Sequence, residues 1–398
     1  MPAPSQKQSL ERAGSWRHVQ SGESYQAFIP HPLPPEPPLA LTLADQRVLE
    51  EAGRALGQLD GLARALPETA LFLYMYVRKE ALLSSQIEGT QSSLSELLLF
   101  ENDESSEFSS VDVVDVLNYV AALEHGIDRL RVLPLSTRLF KELHARLLSR
   151  GRGSEKAPGE YRVSQNWIGG TRPGIATNVP PPPTEVHRCM GDLELFLNDP
   201  QPVLPLLVRI ALAHAQFESI HPFLDGNGRL GRLLITLALV ANGALEKPLL
   251  YMSLYLKQHR AKYYELLQRT RTHGEWESWI RFFLEGVRDT SRQASSTIRR
   301  ILDLFDQDAE RIRRSGPSAG ATASTLRVHE VFRKIPVSKT STVVKGIELS
   351  QPTVDAALNR LLELGIVREV TGRKRHRLYA YDAYMRILQE GTEPLPVG

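Results

Sequence analysis

The chain has little to staple, anchor or steer it. One cysteine, Cys189, among 398 residues excludes an intramolecular disulfide and a cysteine-built zinc site; it reads as a buried, inert thiol. The two signs of charge nearly cancel, 48 Lys and Arg against 46 Asp and Glu, so no global field calls for nucleic acid or an anionic membrane. The longest apolar stretch, around Leu233 to Ala241, falls far short of the ~20 residues that cross a bilayer. Met1 to Gly14 is polar and lacks a signal-peptide core, so a cytoplasmic location without a membrane partner is expected. No internal repeat is visible. What is present is length and 42% apolar content, enough for more than one domain with sizeable cores.

One string concentrates the chemistry: His221-Pro-Phe-Leu-Asp-Gly-Asn-Gly-Arg-Leu-Gly-Arg232. Before it, Leu206, Leu207, Ile210, Ala211, His214 and Phe217 fall at helical spacing, and Pro222 should stop that helix near Ser219. After it, Leu230 to Ala241 reads as a helix closed by Asn242-Gly243. Asp225 to Gly228 then forms the mouth of a buried helix, where free N–H groups and the positive end of the macrodipole point outward. Glycines on both sides of Asn227 let an anion approach the backbone. Asp225 is a hard oxygen ligand suited to Mg²⁺ between two phosphates. Arg229 and Arg232, three residues apart, reach one polyphosphate with planar, always-charged forks. His221 stands outside the helix, where a neutral imidazole can take a proton from a hydroxyl. Together these describe phosphoryl or nucleotidyl transfer, not proteolysis or redox chemistry.

The string resembles the core motif of the Fic family, His-x-Phe-x-Asp/Glu-Gly-Asn-Gly-Arg-x-x-Arg, at every specified position. The resemblance implies AMP transfer from ATP to a Ser, Thr or Tyr hydroxyl of a target protein, with release of pyrophosphate. It makes His221 the base and Asp225 the Mg²⁺ ligand. Pro222, Phe223, Leu224, Asp225, Gly226, Asn227, Gly228, Arg229 and Arg232 become the ATP site, with Asn227 and nearby amides at the α-phosphate and both arginines on the outer phosphates. Doc-like kinases of the family carry Lys where this chain has Gly228, which leaves the adenylylating orientation open.

Further segments resemble the same family. Ser84-Ser-Gln-Ile-Glu-Gly89 is similar to its inhibitory motif. Leu71 to Ile87 is rich in helix formers, so Ser84 and Glu88 should share a face at i and i+4. The resemblance implies that Glu88, followed by Gly89, pairs with Arg232 and keeps it from the γ-phosphate. Between the two motifs, Tyr161 to Val179 reads as a hairpin around Gly-Gly-Thr-Arg-Pro-Gly. In the family the corresponding hairpin is a flap that aligns the target by strand addition. Tyr251 to Arg260 resembles the helix near the adenine, which brings His259 into the expected site.

Breaks in composition divide the chain. Residues 1–40 are polar, then proline-dense, and read as an extended arm. Residues 41–110 are helical and hold the inhibitory motif, with an acidic, serine-rich loop from Glu101 to Ser110. The catalytic core runs over 111–290, and 291–324 is a charged helix followed by a flexible linker from Ser315 to Ser324. In 325–390, helices at Leu326–Phe332, Ser341–Lys345 and Gln351–Leu364 precede a hairpin tipped by Arg373, Lys374, Arg375 and Arg377. This resembles a winged helix-turn-helix that sets the Gln351 helix in a major groove and its cations on phosphates; winged helices also bind proteins or dimerise. The expected fold is therefore mainly α: a Fic-type helical bundle with a β-hairpin flap and a C-terminal winged-helix domain. A homodimer is among the expectations, because the family often self-associates. Two alternatives stand beside an autoinhibited adenylyltransferase. One is a DNA-binding regulator with a secondary Fic core. The other is a Fic enzyme that uses another nucleotide, or removes AMP with Glu88 activating water.

Overall fold

The computed structural model describes residues 12–65, 69–102, 111–316, 318–372 and 377–395. A two-stranded antiparallel sheet comes first, β1 (Gly14–Ser21) with β2 (Glu23–Pro30). The helical body contains α1 (Leu43–Ala65), α2 (Thr69–Ile87), α3 (Leu94–Asn102), α4 (Val111–Arg129), α5 (Thr137–Leu147), α6 (Pro183–Leu197), α7 (Leu206–Ile220), α8 (Asn227–Ala241), α9 (Met252–Gln258), α10 (Arg260–His273) and α11 (Trp276–Ser315). Mainly helical architecture, with short strands at the margins, matches the expectation from periodicity.

Helices α7 and α8 sit at the centre. From Leu207 to Ile220 every residue of α7 is buried, well beyond the single apolar face read from its spacing. A helix buried all round must also house its polar groups. Arg209 donates to the Phe196 and Leu197 carbonyls at the end of α6. One ring nitrogen of His214 meets the Gly231 carbonyl at 2.9 Å and the other the Tyr263 hydroxyl at 2.9 Å, tying α7 to α8 and α10. Helix α7 ends one residue later than expected, at Ile220, and α8 opens earlier, at Asn227. The connecting loop is therefore short, and its ends are clamped by two largely buried helices.

The C-terminal unit is built from α12 (Ala319–Lys334), β3 (Val337–Lys339), α13 (Thr340–Gly346), α14 (Gln351–Glu363), β4 (Arg368–Glu369), β5 (Leu378–Ala380) and α15 (Asp382–Gln389). Its strands are antiparallel in the order β3–β5–β4. Val354, Ala357, Leu358 and Leu361 form the buried side of α14. Phe305 and Ile312 of α11 belong to the same continuous apolar core as Phe332, Tyr381 and Tyr384, so one helix carries the core from the body into this unit.

Three regions depart from the sequence reading. The arm over 1–40 is not simply extended, because residues 14–30 pair as β1 and β2, with Ala27, Phe28 and Ile29 buried beneath. The Ser315–Ser324 linker is mostly the start of α12. The Ser318 hydroxyl accepts from the Ala321 N–H as its N-cap, and Thr322, Ser324 and Thr325 return their hydroxyls to carbonyls one turn back. Serine and threonine rich in local bonds can thus be helical where composition alone suggests a linker. The hairpin over 161–179 has one bridging pair, Ile168 with Asn178, and a 3-10 turn at Pro173–Ile175. Gly169 and Gly170, at φ +70° and +72°, bend the chain before longer strands can pair. The cations Arg373, Lys374 and Arg375 and most of the loop Glu101–Ser110 lie outside the described residues.

Candidate nucleotide site

His221 caps the C-terminus of α7 at φ 48° and ψ 59°, a left-handed conformation that costs energy for any residue but glycine. The surroundings hold it there. Its N–H donates to the Phe217 carbonyl at 3.0 Å, and its carbonyl accepts from Arg162 Nε at 3.0 Å and Asn166 Nδ2 at 3.3 Å. Nδ1 of the ring is buried without a hydrogen-bond partner. Burial, then the charges of Arg271 and Arg162, press the imidazole down to about 4, so it is neutral and ready to accept a proton near neutral pH. A polyanion beside it would make it more basic.

The loop from Pro222 to Gly226 is shaped by its own side chains. Asn227 Oδ1 accepts from the Phe223 N–H and its Nδ2 donates to the Phe223 carbonyl, both at 2.9 Å. The expected α-phosphate ligand is thus committed largely to closing the loop, and anion binding falls to backbone N–H groups. Phe223 stacks on His144 at 3.8 Å between centroids. His144 Nδ1 accepts the Gly159 N–H at 2.8 Å, which leaves its Nε2–H to donate to the Asp225 carbonyl at 3.0 Å. Burial lowers this imidazole to about 4, so the neutral tautomer persists and fixes the loop. Gly226 enters α8 at φ +73°, where a side chain would be strained.

At the mouth of α8 the groups converge. His221, Leu224, Asp225, Gly226, Asn227, Gly228, Arg229, Arg152 and Glu88 line a cavity of about 340 Å³. A second, of about 490 Å³, shares His221, Gly228 and Glu88 and adds Arg232, Trp167, Asn178, Tyr264 and Arg271 among its walls. His221 and Asp225 therefore face one space. Asp225 Oδ1 accepts the Gly226 N–H at 2.6 Å. One carboxylate beside a phosphate cradle is the donor set Mg²⁺ commonly takes, with phosphate oxygens and waters completing its shell. The residues fit that ion. Arg229, 1% exposed, has its Nη1 3.7 Å from Asp115 Oδ2 and no hydrogen bond at that nitrogen.

Arg232 is already engaged. Its Nε donates to Ser84 Oγ at 2.8 Å, and its Nη2 to the Ser84 carbonyl at 2.9 Å and to Glu88 Oε1 at 2.7 Å. Burial alone would raise the Glu88 carboxyl, but the charge and hydrogen bond of Arg232, aided by Arg229 and His221, hold it below its ordinary range. Glu88 stands one residue past the end of α2, in a turn continued by Gly89 at φ +100°. A Cβ on Gly228 would fall 2.2 Å from Glu88 Oε1, so the carboxylate lies directly on the opening of the cradle.

His259 is not in this group. Its ring bonds the Tyr255 carbonyl and packs on Tyr255 at 4.2 Å, because the break between α9 and α10 turns it away. Arg260, the next residue, and Tyr264, one turn after it, stand in the cavity wall instead. Sequence reasoning also missed His144, Arg162, Asn166, Asp115, Glu218 and Arg271. Each comes from another element, or from the α7 interior, with no local pattern to mark it.

A cradle of backbone N–H groups at the mouth of a buried helix, with a histidine, a carboxylate and two arginines around it, has the chemistry to hold a nucleotide. Residues 46–128 match the Fic/DOC family N-terminal region and residues 134–239 the Fic/DOC family itself. These two segments make the middle of the chain a Fic/DOC domain preceded by the N-terminal region of that family. A protein adenylyltransferase Fic of Aedes aegypti is 37% identical over 145 residues, 36% of this chain and 26% of its own length. One of Drosophila melanogaster is 31% identical over 191 residues, 47% of this chain and 34% of its own. The chain thus spans about a quarter to a third of the curated relatives it matches. In fold it is similar to a Fic family protein from Desulfovibrio desulfuricans G20, with TM-score 0.56 and 21% identity, covering 86% of this chain and 97% of that one.

Proposed function

We propose that this chain is an autoinhibited protein adenylyltransferase, moving AMP from ATP to a Ser, Thr or Tyr hydroxyl of target proteins or of itself. The observation that carries the reading is the shared space of His221, Asp225 and the α8 amides around Gly228, with Glu88 laid across it onto Arg232. Relatives bearing the name protein adenylyltransferase support the choice of reaction. His221 takes the proton of the acceptor hydroxyl as its oxygen attacks the α-phosphorus. The bond from that phosphorus to pyrophosphate breaks, and pyrophosphate leaves carrying its negative charge. The α8 amides hold the developing charge on the α-phosphate, and Arg229 and Arg232 receive the outer phosphates. Asp225 holds Mg²⁺, whose charge offsets that of the phosphates when bound. The bridge at Ile168–Asn178 marks the edge on which a target chain docks.

ATP labelled at the α-phosphate should transfer label to protein, ATP labelled at the γ-phosphate should not, and His221→Ala should lower transfer about 10²–10⁴-fold while ATP still binds. Label from the γ-position, or transfer undiminished in His221→Ala, would refute this reaction.

The C-terminal unit follows winged-helix order in our reading: helix, strand, two helices and a hairpin. Its α14 exposes Gln351, Asp355, Asn359 and Glu363, and Arg360 is paired with Glu363 at 2.9 Å. Base reading in a major groove relies on arginine, lysine and amide donors. With Arg360 paired and Gln351 Nε2 donating to Asp355 Oδ1 at 3.0 Å, Asn359 is the one amide of these four without such a pairing, and the face favours a protein-docking role. Salt-insensitive failure to bind mixed duplex DNA is the expected result; tight, salt-dependent binding would restore the DNA reading.

A further inference from the structure

We propose that Gln389–Glu393, the segment leaving α15, is a latch on the helix that aims Glu88, so that undocking this segment frees the nucleotide site. This rests on reading Glu88 as inhibitory. Four successive carbonyls of the segment accept from the Fic body. Lys79 Nζ donates to the Glu390 carbonyl at 2.9 Å, Lys257 Nζ to those of Gly391 at 3.3 Å and Glu393, and Gln86 Nε2 to that of Thr392 at 2.9 Å. Arg300 grips the Glu390 carboxylate with two nitrogens at 2.7 and 2.6 Å, and Gln389 donates to Ser95.

Gln86 links the segment to Glu88. It lies two residues before Glu88, is fully buried, and takes Lys257 Nζ on its Oε1 at 2.7 Å. The turn that presents Glu88 is built on the same residues: the Glu88 N–H donates to the Ser85 carbonyl at 3.0 Å and the Gly89 N–H to the Gln86 carbonyl at 3.1 Å. Remove the segment and Gln86 loses the Thr392 carbonyl while Lys257, its other tail-linked partner, loses its own tail acceptors, so Gln86 keeps the Ser92 carbonyl at 2.9 Å and a Lys257 that is itself less fixed. The remainder of α2 stays fixed by buried Met75, Tyr76, Ala81 and Leu82, so only its last turn is released. The contacts of Gln389–Glu393 itself are largely side-chain donors on backbone carbonyls, which open more readily than an apolar seam, while the apolar core shared with α11 stays closed.

Gly391 gives the test. It adopts φ +78°, and a Cβ there would lie 2.8 Å from Leu254 Cδ1, so Gly391→Val should expel the segment from the full-length protein. Arg300→Glu, with Glu390→Arg as its rescue, tests the same contact without altering backbone strain. Amide exchange at 84–92 and ATP binding by titration calorimetry should both respond. Exchange there should quicken in Gly391→Val and Arg300→Glu, and ATP affinity rise roughly tenfold, an ordinary allosteric coupling. Glu88→Gly should bind ATP as tightly with or without Gly391→Val, and the charge swap should restore the resting state. If exchange at 389–393 quickens while that at 84–92 and ATP affinity stay at wild-type values, the latch is refuted. Should Glu88→Gly itself transfer no label, the adenylylation reading fails, and exchange at 84–92 still decides the latch.

Discussion

Replacing Glu88 by Gly removes one oxygen from Arg232 and clears the space above Gly228. Arg232 keeps both bonds to Ser84, so its guanidinium remains in place, but its counter-charge is gone. Removing one partner of a sealed ion pair costs about 3–5 kcal/mol. The Glu88 side chain is 33% exposed, so water takes over part of that role and a loss of roughly 1–2 kcal/mol of folding stability is expected. The freed arginine gains charge-assisted hydrogen bonds to an outer phosphate worth about 1.5–3 kcal/mol, which corresponds to roughly 10- to 150-fold in ATP affinity. Glu88→Gln keeps the shape and loses the charge, and should fall between wild type and Glu88→Gly. Urea denaturation reads the stability cost, calorimetry the affinity, and α-labelled ATP the auto-modification. A Glu88→Gly protein that binds ATP within about twofold of wild type would mean Arg232 was never withheld, and the reasoning on the resting state would be wrong.

Acid should loosen the same contact. The folded carboxyl of Glu88 lies below its ordinary value of 4.5, so its stabilisation is full above that value and fades as pH falls through the folded one; the stability gap between wild type and Glu88→Gln should shrink there. Glu218 behaves oppositely. Burial, opposed by Arg232 and Arg271, lifts it to about 7 from 4.5, so the folded protein keeps a proton the unfolded one loses, and stability drains away as pH rises between those values. Glu218→Gln should flatten that part of the pH–stability curve, and an unchanged slope would contradict the assignment. Cys189 is buried, and burial raises its thiol to about 11. It should resist a thiol reagent such as DTNB until urea unfolds the chain, and rapid native labelling would show the site to be open.

The core of the site was legible because one contiguous stretch supplies it. His221 to Arg232 is a helix end, a turn and a helix start, and local rules cover all three. Glu88 was legible because Ser84, which shares Arg232 with it, lies one helical turn away, although Glu88 itself has already left the helix. His144 shows where this kind of reading stops. It holds the Asp225 carbonyl across 81 residues of sequence, and on α5 nothing separates it from any other half-polar helical position. Asp115 and Arg162 are of the same kind. The hairpin over 161–179 failed for a different reason: its glycines mark a turn correctly, but how far the flanks pair depends on β2, whose Phe28 N–H takes the Val179 carbonyl at 2.8 Å. The Ser315–Ser324 stretch failed because hydroxyls returning to their own backbone support a helix that composition disfavours.

The closeness of Glu88 to the Gly228 position has a kinetic meaning. A carboxylate tied to the same chain as the cradle competes with phosphate at a fixed local concentration that dilution cannot lower, and tethers of this sort commonly reach the millimolar range. On the proposed function, ATP at cellular abundance would contend with an opponent of similar standing, and the resting protein would answer to small shifts in tether geometry more than to the supply of its substrate.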